Sequence, residues 1–369
     1  MEKVLVAMSG GVDSSVAAAL LKSQGYDVIG VHMQLWDHGE ANFERIGSRC
    51  CSVIDSNDAR RVCDQIDVPY YVINAQDIFK EKVVDYFVHE YLQSRTPNPC
   101  AECNNQIKFN YLFQKADELG CKWVATGHYA QVVQDEAEGV ARLHKGKDEH
   151  KDQTYFLAGL TQDALKRTLM PLGGLSKKIV RKLAVEFELS VSEKPDSQEI
   201  CFIGKPGYQE FIEKQTSPDL RPGGNITTTL GEIVGEHRGL YRYTIGQRKG
   251  LQLKVKDPDQ YYVVGFDTRR NVLIVGPEKY LMNQRLVASQ TNWVRPVSGL
   301  KGIECYAKIR YQHEPAQCSV TIYENNTIHV DFEKAQRAIT PGQLIVFYQG
   351  NEVIGGARID EIASTEAIQ

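Results

Sequence analysis

The chain has 369 residues, 42% of them hydrophobic, and a formal net charge of −4 at neutral pH. That length predicts two or three domains with sizeable cores, and the slightly acidic balance excludes a uniformly basic nucleic-acid binder. No apolar stretch approaches the length of a membrane helix, and Met1-Glu2-Lys3 leads directly into the first apolar run, so the expectation is a cytoplasmic chain with no membrane partner.

Residues 4–8 read as a short buried strand, after which Val16, Ala19 and Leu20 recur at helical spacing. Between them lies Ser9-Gly10-Gly11-Val12-Asp13-Ser14. Paired glycines let the backbone turn tightly and present its N–H groups, while Ser9, Ser14 and Ser15 add hydroxyls and the helix start adds partial positive charge. Such a turn suits phosphate, and pyrophosphate in particular. No Gly-Lys-Ser/Thr ending follows, so it is not a Walker loop. The pattern resembles the PP-loop of the ATP pyrophosphatases, which split ATP between its α- and β-phosphates.

Further strands are predicted at 28–33, 70–73 and 123–126, with helices at 57–66 and 77–92. In the second helix Phe79, Val83, Phe87 and Tyr91 repeat every four residues. This βα alternation predicts a parallel, doubly wound sheet with its ligand at the carboxyl ends of the strands. The character changes near Gly204, where prolines and glycines interrupt the pattern. Residues 261–266 and 271–275 look like a hairpin, and strands follow at 304–311, 316–323, 327–332, 344–349 and 352–359. Asn325-Asn326 and Gly350-Asn351 are good hairpin turns. The expected architecture is a doubly wound α/β domain (1–204), a small central β domain (205–282) and a C-terminal β-barrel (283–369). Two segments, 166–182 and 237–256, each carry six Lys/Arg and no acid, which suits a phosphate backbone.

Nine cysteines in a chain read as cytosolic point away from a disulfide scaffold. Cys63, Cys121, Cys305 and Cys318 lie among apolar neighbours and read as core. Cys100-Ala101-Glu102-Cys103 follows Thr96-Pro97-Asn98-Pro99, which places the two thiols on a loop entering a helix, where a thiolate is stabilised. Cys201 stands just before the domain break, and Cys50-Cys51 has no evident role. Three chemistries compete for these thiols: structural zinc, redox or persulfide relay between Cys103 and Cys201, and an iron–sulfur cluster on Cys100, Cys103 and Cys201.

Taken together, the motifs resemble the tRNA-specific 2-thiouridylase (MnmA) family from end to end. They are the Ser9–Ser14 loop, Thr96-Pro97-Asn98-Pro99 with Cys103-Asn104, Ala125-Thr126-Gly127-His128-Tyr129 and Lys151-Asp152-Gln153-Thr154-Tyr155-Phe156. Later come Ile200-Cys201-Phe202-Ile203-Gly204, Thr244-Ile245-Gly246-Gln247-Arg248-Lys249-Gly250, Arg310-Tyr311 and Thr340-Pro341-Gly342-Gln343. The resemblance implies an adenine nucleotide α-hydrolase-like N-terminal domain and a tRNA-binding central domain. It implies a sulfurtransferase that adenylates the C2 oxygen of the wobble uridine in tRNAs for Lys, Glu and Gln, after which sulfur displaces AMP. Ala7, Met8, Ser9, Gly10, Gly11, Val12, Asp13, Ser14, Met33 and Gly127 would bind ATP, with Mg²⁺. Asn98, Pro99 and Cys100 would face the target base. His128, Lys151, Asp152, Gln153, Arg310, Tyr311 and Gln343 would contact tRNA. Cys103 would be the nucleophile and Cys201 the persulfide carrier, with a disulfide between them after sulfur release. The implied partners are tRNA and a sulfur donor such as a cysteine desulfurase or relay protein. Many family members carry Asp where this chain has Cys100, so an acid–base role does not transfer; the third thiol keeps a [4Fe–4S] cluster as the alternative. Another PP-loop ligase would need no paired cysteines, and a non-catalytic RNA binder would need no intact loop.

Overall fold

The computed structural model describes residues 1–36, 53–196, 200–204, 207–296, 302–323 and 326–363. Cys50-Cys51 and Asn325 lie outside the described residues. In the N-terminal half, β1 (Lys3–Ala7), β2 (Asp27–Gln34), β3 (Tyr70–Asn74) and β4 (Trp123–Ala125) are followed by a hairpin of β5 (Ala130–Asp135) and β6 (Val140–Lys145) and by a short β7 (Thr168–Leu169). Five of these form a sheet in the order β3-β2-β1-β4-β7, with every pair parallel.

The strand period of two explains why both faces of this sheet are covered. Val4 and Val6 of β1 pack with helices Val12–Ser23, Val53–Gln65 and Lys177–Glu186. Leu5, between them, packs on the opposite side with the helical runs 76–92 and 99–118. The expected stripe Phe79, Val83, Phe87 and Tyr91 is buried there, although a π-helical stretch, Lys80–Val84, interrupts the α-helix. The turn after β1 therefore sits at the carboxyl edge of a sheet enclosed by helices.

The central region holds β8 (Gly224–Thr228), β9 (Ile233–His237), β10 (Tyr262–Asp267) and β11 (Val272–Gly276), in the order β10-β11-β8-β9. The expected hairpin is β10–β11, and Ile226, Val263, Leu273 and Val275 form a separate core. The C-terminal strands are β12 (Met282–Trp293), β13 (Ile303–Lys308), β14 (Ala316–Ile322), β15 (Ile328–Arg337), β16 (Leu344–Gln349) and β17 (Glu352–Ile362). They close as β12-β15-β14-β13-β16-β17, with β12 pairing back to β17. Closure removes free edges, and Leu286, Val320, Val330, Phe347 and Ile354 fill the interior.

Two expectations need correction. β13 ends at Lys308, so Arg310 and Tyr311 lie in the bend beyond the strand, where the chain turns toward β14. The first half of the chain also contains more than βα units. The β5–β6 hairpin pairs through β6 with β17, Leu143 opposite Val353, and extends the barrel sheet into the α/β region. Arg142 reinforces this junction with an ion pair to Glu352 at 3.1 Å. Among the described residues no helix is long and apolar enough to cross a membrane.

Candidate nucleotide and thiol site

The helix Val12–Ser23 starts at Gly11, which offers no side-chain cap. Its first N–H groups are therefore available to an anion. Ser14 Oγ accepts from the Ser9 N–H at 3.1 Å and lies 3.2 Å from the Gly11 carbonyl, so the hydroxyls hold the turn closed on itself. Ser15 is fully buried and donates to the Gly11 carbonyl at 2.9 Å, so its hydroxyl faces the fold and not a ligand, contrary to expectation.

Other elements press on this turn from behind. Gly10 has φ +74°, and a Cβ there would come within 2.2 Å of the Asp55 carbonyl oxygen. Lys194 donates to the Gly10 carbonyl at 3.0 Å and to Asp55 and Asp58, both at 2.6 Å. Burial alone would lower the Lys194 pKa, but its hydrogen bonds to the Asp55 and Asp58 carboxylates outweigh it and hold it above the ordinary value. Buried His32 donates from Nδ1 to the Met8 carbonyl at 2.9 Å, and burial pushes its pKa down, so it stays neutral. Met33 packs in the sheet core, and Ala7 and Val12 are held in the strand and the first helical turn.

The loop after β4 closes the other side. A Cβ on Gly127 would lie 2.7 Å from the Asp13 carbonyl carbon and the Ser14 nitrogen, so only glycine allows this approach. The Tyr129 hydroxyl donates to Asp13 Oδ1 at 2.8 Å, and Lys177 Nζ lies 2.7 Å from the same oxygen. Burial, then the neighbouring Asp13 charge, push the Tyr129 phenol pKa up, which keeps it a donor. His128 shares a 2.7 Å hydrogen bond with Thr126 Oγ1, and its ring packs 6.0 Å from Phe109. Burial, assisted by Lys108, pushes its pKa well down. One loop thus touches the glycine turn through Gly127 and the thiol-bearing helix through His128.

The thiols sit further into that helix than expected. Asn98 caps it by accepting the Ala101 N–H at 3.2 Å, and Pro99 occupies the first turn, where its missing N–H costs nothing. Cys100 is exposed in this first turn, and Cys103 is buried at the start of the π-helical stretch Cys103–Tyr111. Cys201 is half-buried against the same apolar cluster that contains Cys103. It is placed by its neighbour Phe202, whose ring lies 5.3 Å from Phe87 and 5.7 Å from Phe79.

The remaining candidates lie between the α/β sheet and the barrel, and most hold internal bonds. Gln153 accepts the Tyr129 N–H at 3.0 Å. Asp152 accepts from Gly146 N at 3.1 Å and Thr154 Oγ1 at 2.8 Å. Lys151 pairs with Asp196 at 2.8 Å. Arg310 donates to the Arg337 carbonyl at 3.0 Å, and the Tyr311 ring packs tilted with its centroid 4.6 Å from that of Phe156. Gln343 donates to the Thr96 and Pro97 carbonyls at 2.9 and 3.2 Å, directly before the thiol segment. The basic run 166–182 is largely neutralised by distant acids, Arg167 by Asp117, Lys177 by Asp13 and Arg181 by Asp196. By contrast, Arg238, Arg248, Lys249, Lys254 and Lys256 of the second run are exposed.

Cys63, Cys121, Cys305 and Cys318 are buried as expected, and burial pushes the Cys63 thiol up to about 12. Among the described residues, no three His, Cys, Asp or Glu side chains are grouped as a metal-ligand set. Among those residues neither a zinc nor a cluster ligand set is shown. Mg²⁺ needs only one or two carboxylates besides phosphate oxygens, and Asp13 fits that requirement.

Local sequence carries no signal for Tyr129, Lys177 and Lys194, since each reaches the turn across more than 100 residues, or for Asp196, which acts on the turn through Lys177. Known proteins place the whole chain. Residues 2–205 match the family described as tRNA methyl transferase HUP domain, 209–277 the tRNA methyl transferase PRC-barrel domain, and 283–359 the aminomethyltransferase beta-barrel domain. The tRNA-specific 2-thiouridylase MnmA of Geotalea uraniireducens is 47% identical over 99% of this chain and 96% of its own length. The proteins of the same name from Geobacter metallireducens and Carboxydothermus hydrogenoformans are each 46% identical, covering 97% and 98% of both chains respectively. With its glycine turn, its two thiol segments and its barrel all aligned over this length, the chain belongs to the tRNA-specific 2-thiouridylase family.

Proposed function

We propose that the chain is an ATP-dependent tRNA-uridine 2-sulfurtransferase acting on the wobble uridine of tRNAs for Lys, Glu and Gln in the cytoplasm. The observation that carries this reading is the loop 126–129, which abuts the glycine turn through Gly127 and the Cys103 helix through His128. A nucleotide held at Ser9–Ser14 and a base held near Asn98, Pro99 and Cys100 would then share one wall. In this reading Ala7, Met8, Met33 and Gly127 line the nucleotide, and Asp13 would hold Mg²⁺, which would draw charge from the phosphates. His128, Lys151 to Gln153, Arg310, Tyr311, Gln343 and the exposed cations 238–256 lie along the tRNA. The divisions 1–204, 205–282 and 283–369 serve catalysis, tRNA binding and tRNA positioning.

The chemistry follows in two steps. The uracil C2 oxygen attacks the α-phosphorus, the bond to the bridging oxygen breaks, pyrophosphate leaves, and the N3 proton passes to water. The terminal sulfur of a Cys201 persulfide, loaded by a cysteine desulfurase or relay protein, then attacks C2 and expels AMP. The Cys103 thiolate attacks Cys201 Sγ, breaks the S–S bond to the transferred sulfur, and leaves 2-thiouridine with a Cys103–Cys201 disulfide. A thiol reductant resets the pair. A persulfide is more acidic than a thiol and is the better nucleophile at neutral pH.

Mass spectrometry of tRNA after incubation with protein, ATP and a sulfur source should show 2-thiouridine, and pyrophosphate release should require tRNA. Asp13→Ala should abolish both. Cys201→Ser and Cys103→Ser should still release pyrophosphate yet form no 2-thiouridine. Thiolation that survives in Cys201→Ser would remove the persulfide assignment.

A further inference from the structure

A Walker loop carries its own phosphate-binding lysine, but this glycine turn has none in sequence. The fold supplies one. Lys177, the first residue of the helix Lys177–Glu186, comes from 164 positions away to place Nζ 2.7 Å from Asp13 Oδ1. Its side chain is only 12% exposed, so the ammonium is held, not waving in solvent. On its other side Nζ lies 2.7 Å from Asp196 Oδ1. Asp196 also accepts from Lys151 at 2.8 Å and from Arg181 at 3.1 Å. Burial would raise the Asp196 pKa, but hydrogen bonds from Lys151 and Lys177 outweigh it, so the carboxylate stays ionised. The Lys177 backbone N–H is tied separately to Asp148 Oδ2 at 2.9 Å, which leaves the side chain able to swing while its Cα stays put.

We propose that Lys177 is the phosphate-binding cation of this loop, and that Asp196 is the positioning residue that keeps it there. The assignment rests on the ATP-dependent reading above. When the triphosphate arrives, Lys177 exchanges the Asp13 carboxylate for oxygens of the β- and γ-phosphates and remains protonated throughout. As the α-phosphorus gains its bond to the uracil oxygen, the electron pair of the breaking bond goes to pyrophosphate, and Lys177 offsets that charge. The same exchange would free Asp13 to hold Mg²⁺.

The test compares ATP, inorganic pyrophosphate and AMP by calorimetry on the full-length protein, alongside tRNA-dependent pyrophosphate release. Lys177→Met should weaken ATP and pyrophosphate by about ten- to a hundredfold, the cost of one or two charge-assisted hydrogen bonds, with AMP unchanged. Asp196→Asn should give a smaller loss of the same selectivity. If Lys177→Met does not fold, Lys177→Arg decides: ATP and pyrophosphate weakened several-fold with AMP unchanged supports the assignment. Equal loss for AMP and ATP, or no loss for either, overturns it and leaves Lys177 a structural ion pair. A wild-type protein that binds no ATP and releases no pyrophosphate with tRNA would overturn the adenylation reading as well, which the variants alone would not.

Discussion

Residues 9–15 fold mainly on themselves, whereas residues 95–103 fold against the far end of the chain. In the first region Ser9, Gly11, Ser14 and Ser15 satisfy one another within seven positions, and the strand and helix that flank them are consecutive. In the second, Arg95 donates to the Ile359 and Asp360 carbonyls at 3.0 and 3.2 Å, and Thr96 N–H to the Pro341 carbonyl at 2.9 Å. Gln343 and an Arg358–Glu102 ion pair at 2.6 Å complete the attachment. The phosphate turn is a local device buttressed from outside, while the thiol segment has its position set by the barrel. Damage to the barrel seam should therefore separate the two half-reactions, and damage to the buttress should not.

The largest effect is expected at the buttress. Lys194→Met removes the ammonium shared by Asp55 and Asp58 in a largely buried setting, with Arg61 still 3.7 Å from Asp58, which costs about 3–5 kcal/mol. The melting temperature should drop and ATP binding should vanish with it. Unaltered ATP affinity in a folded Lys194→Met protein would show that the turn is more self-sufficient than its contacts indicate.

A smaller and more selective effect is expected at the seam. Arg95→Ala removes charge-assisted bonds to Glu90 and to two barrel carbonyls, a loss of about 2–3 kcal/mol. Tenure of the thiol segment should suffer most: 2-thiouridine formation falls while tRNA-dependent pyrophosphate release persists. Equal loss of both activities would mean that the two regions are not separable in this way.

The smallest effect per side chain concerns pH and spans both regions. His32 under the turn, His128 between the regions, and His237 and His313 in the β domains all have pKa values pushed down, in each case chiefly by burial. The unfolded chain binds protons at these sites below about pH 6.5 while the folded chain resists them, so stability is present above that pH and is lost as pH falls through it. Thermal melts should be flat from pH 7 to 8 and decline toward pH 5, by at most about 1.4 kcal/mol per pH unit for each histidine involved. Melting temperatures that rise on acidification would contradict the assignment of these rings as neutral in the fold.

Much of this is legible in the sequence. A strand, two glycines and a helix start are enough to present orphan N–H groups, because the geometry of a βα turn is local. The unbroken apolar run of β1, and the four-residue stripe Phe79 to Tyr91, likewise announce a doubly covered sheet and a buried helix face. Spacing also singled out Cys100 and Cys103, although the helix begins earlier than two prolines suggested, because Pro99 fits its first turn.

Tertiary structure alone decided the partners. Charge counted along the chain made 166–182 a free basic run, yet folding brings Asp13, Asp117 and Asp196 onto its cations, because ion pairing depends on distance in space and not in sequence. The same holds for the pairing of β6 with β17, which no local pattern encodes since any exposed strand edge can accept a neighbour. Arg310 and Tyr311 leave the strand for a bend because an aromatic contact with Phe156 and a bond to the Arg337 carbonyl are made there. Sequence determined what each segment could be; burial and long-range electrostatics determined which segments met, and so which lysine faces the phosphate turn.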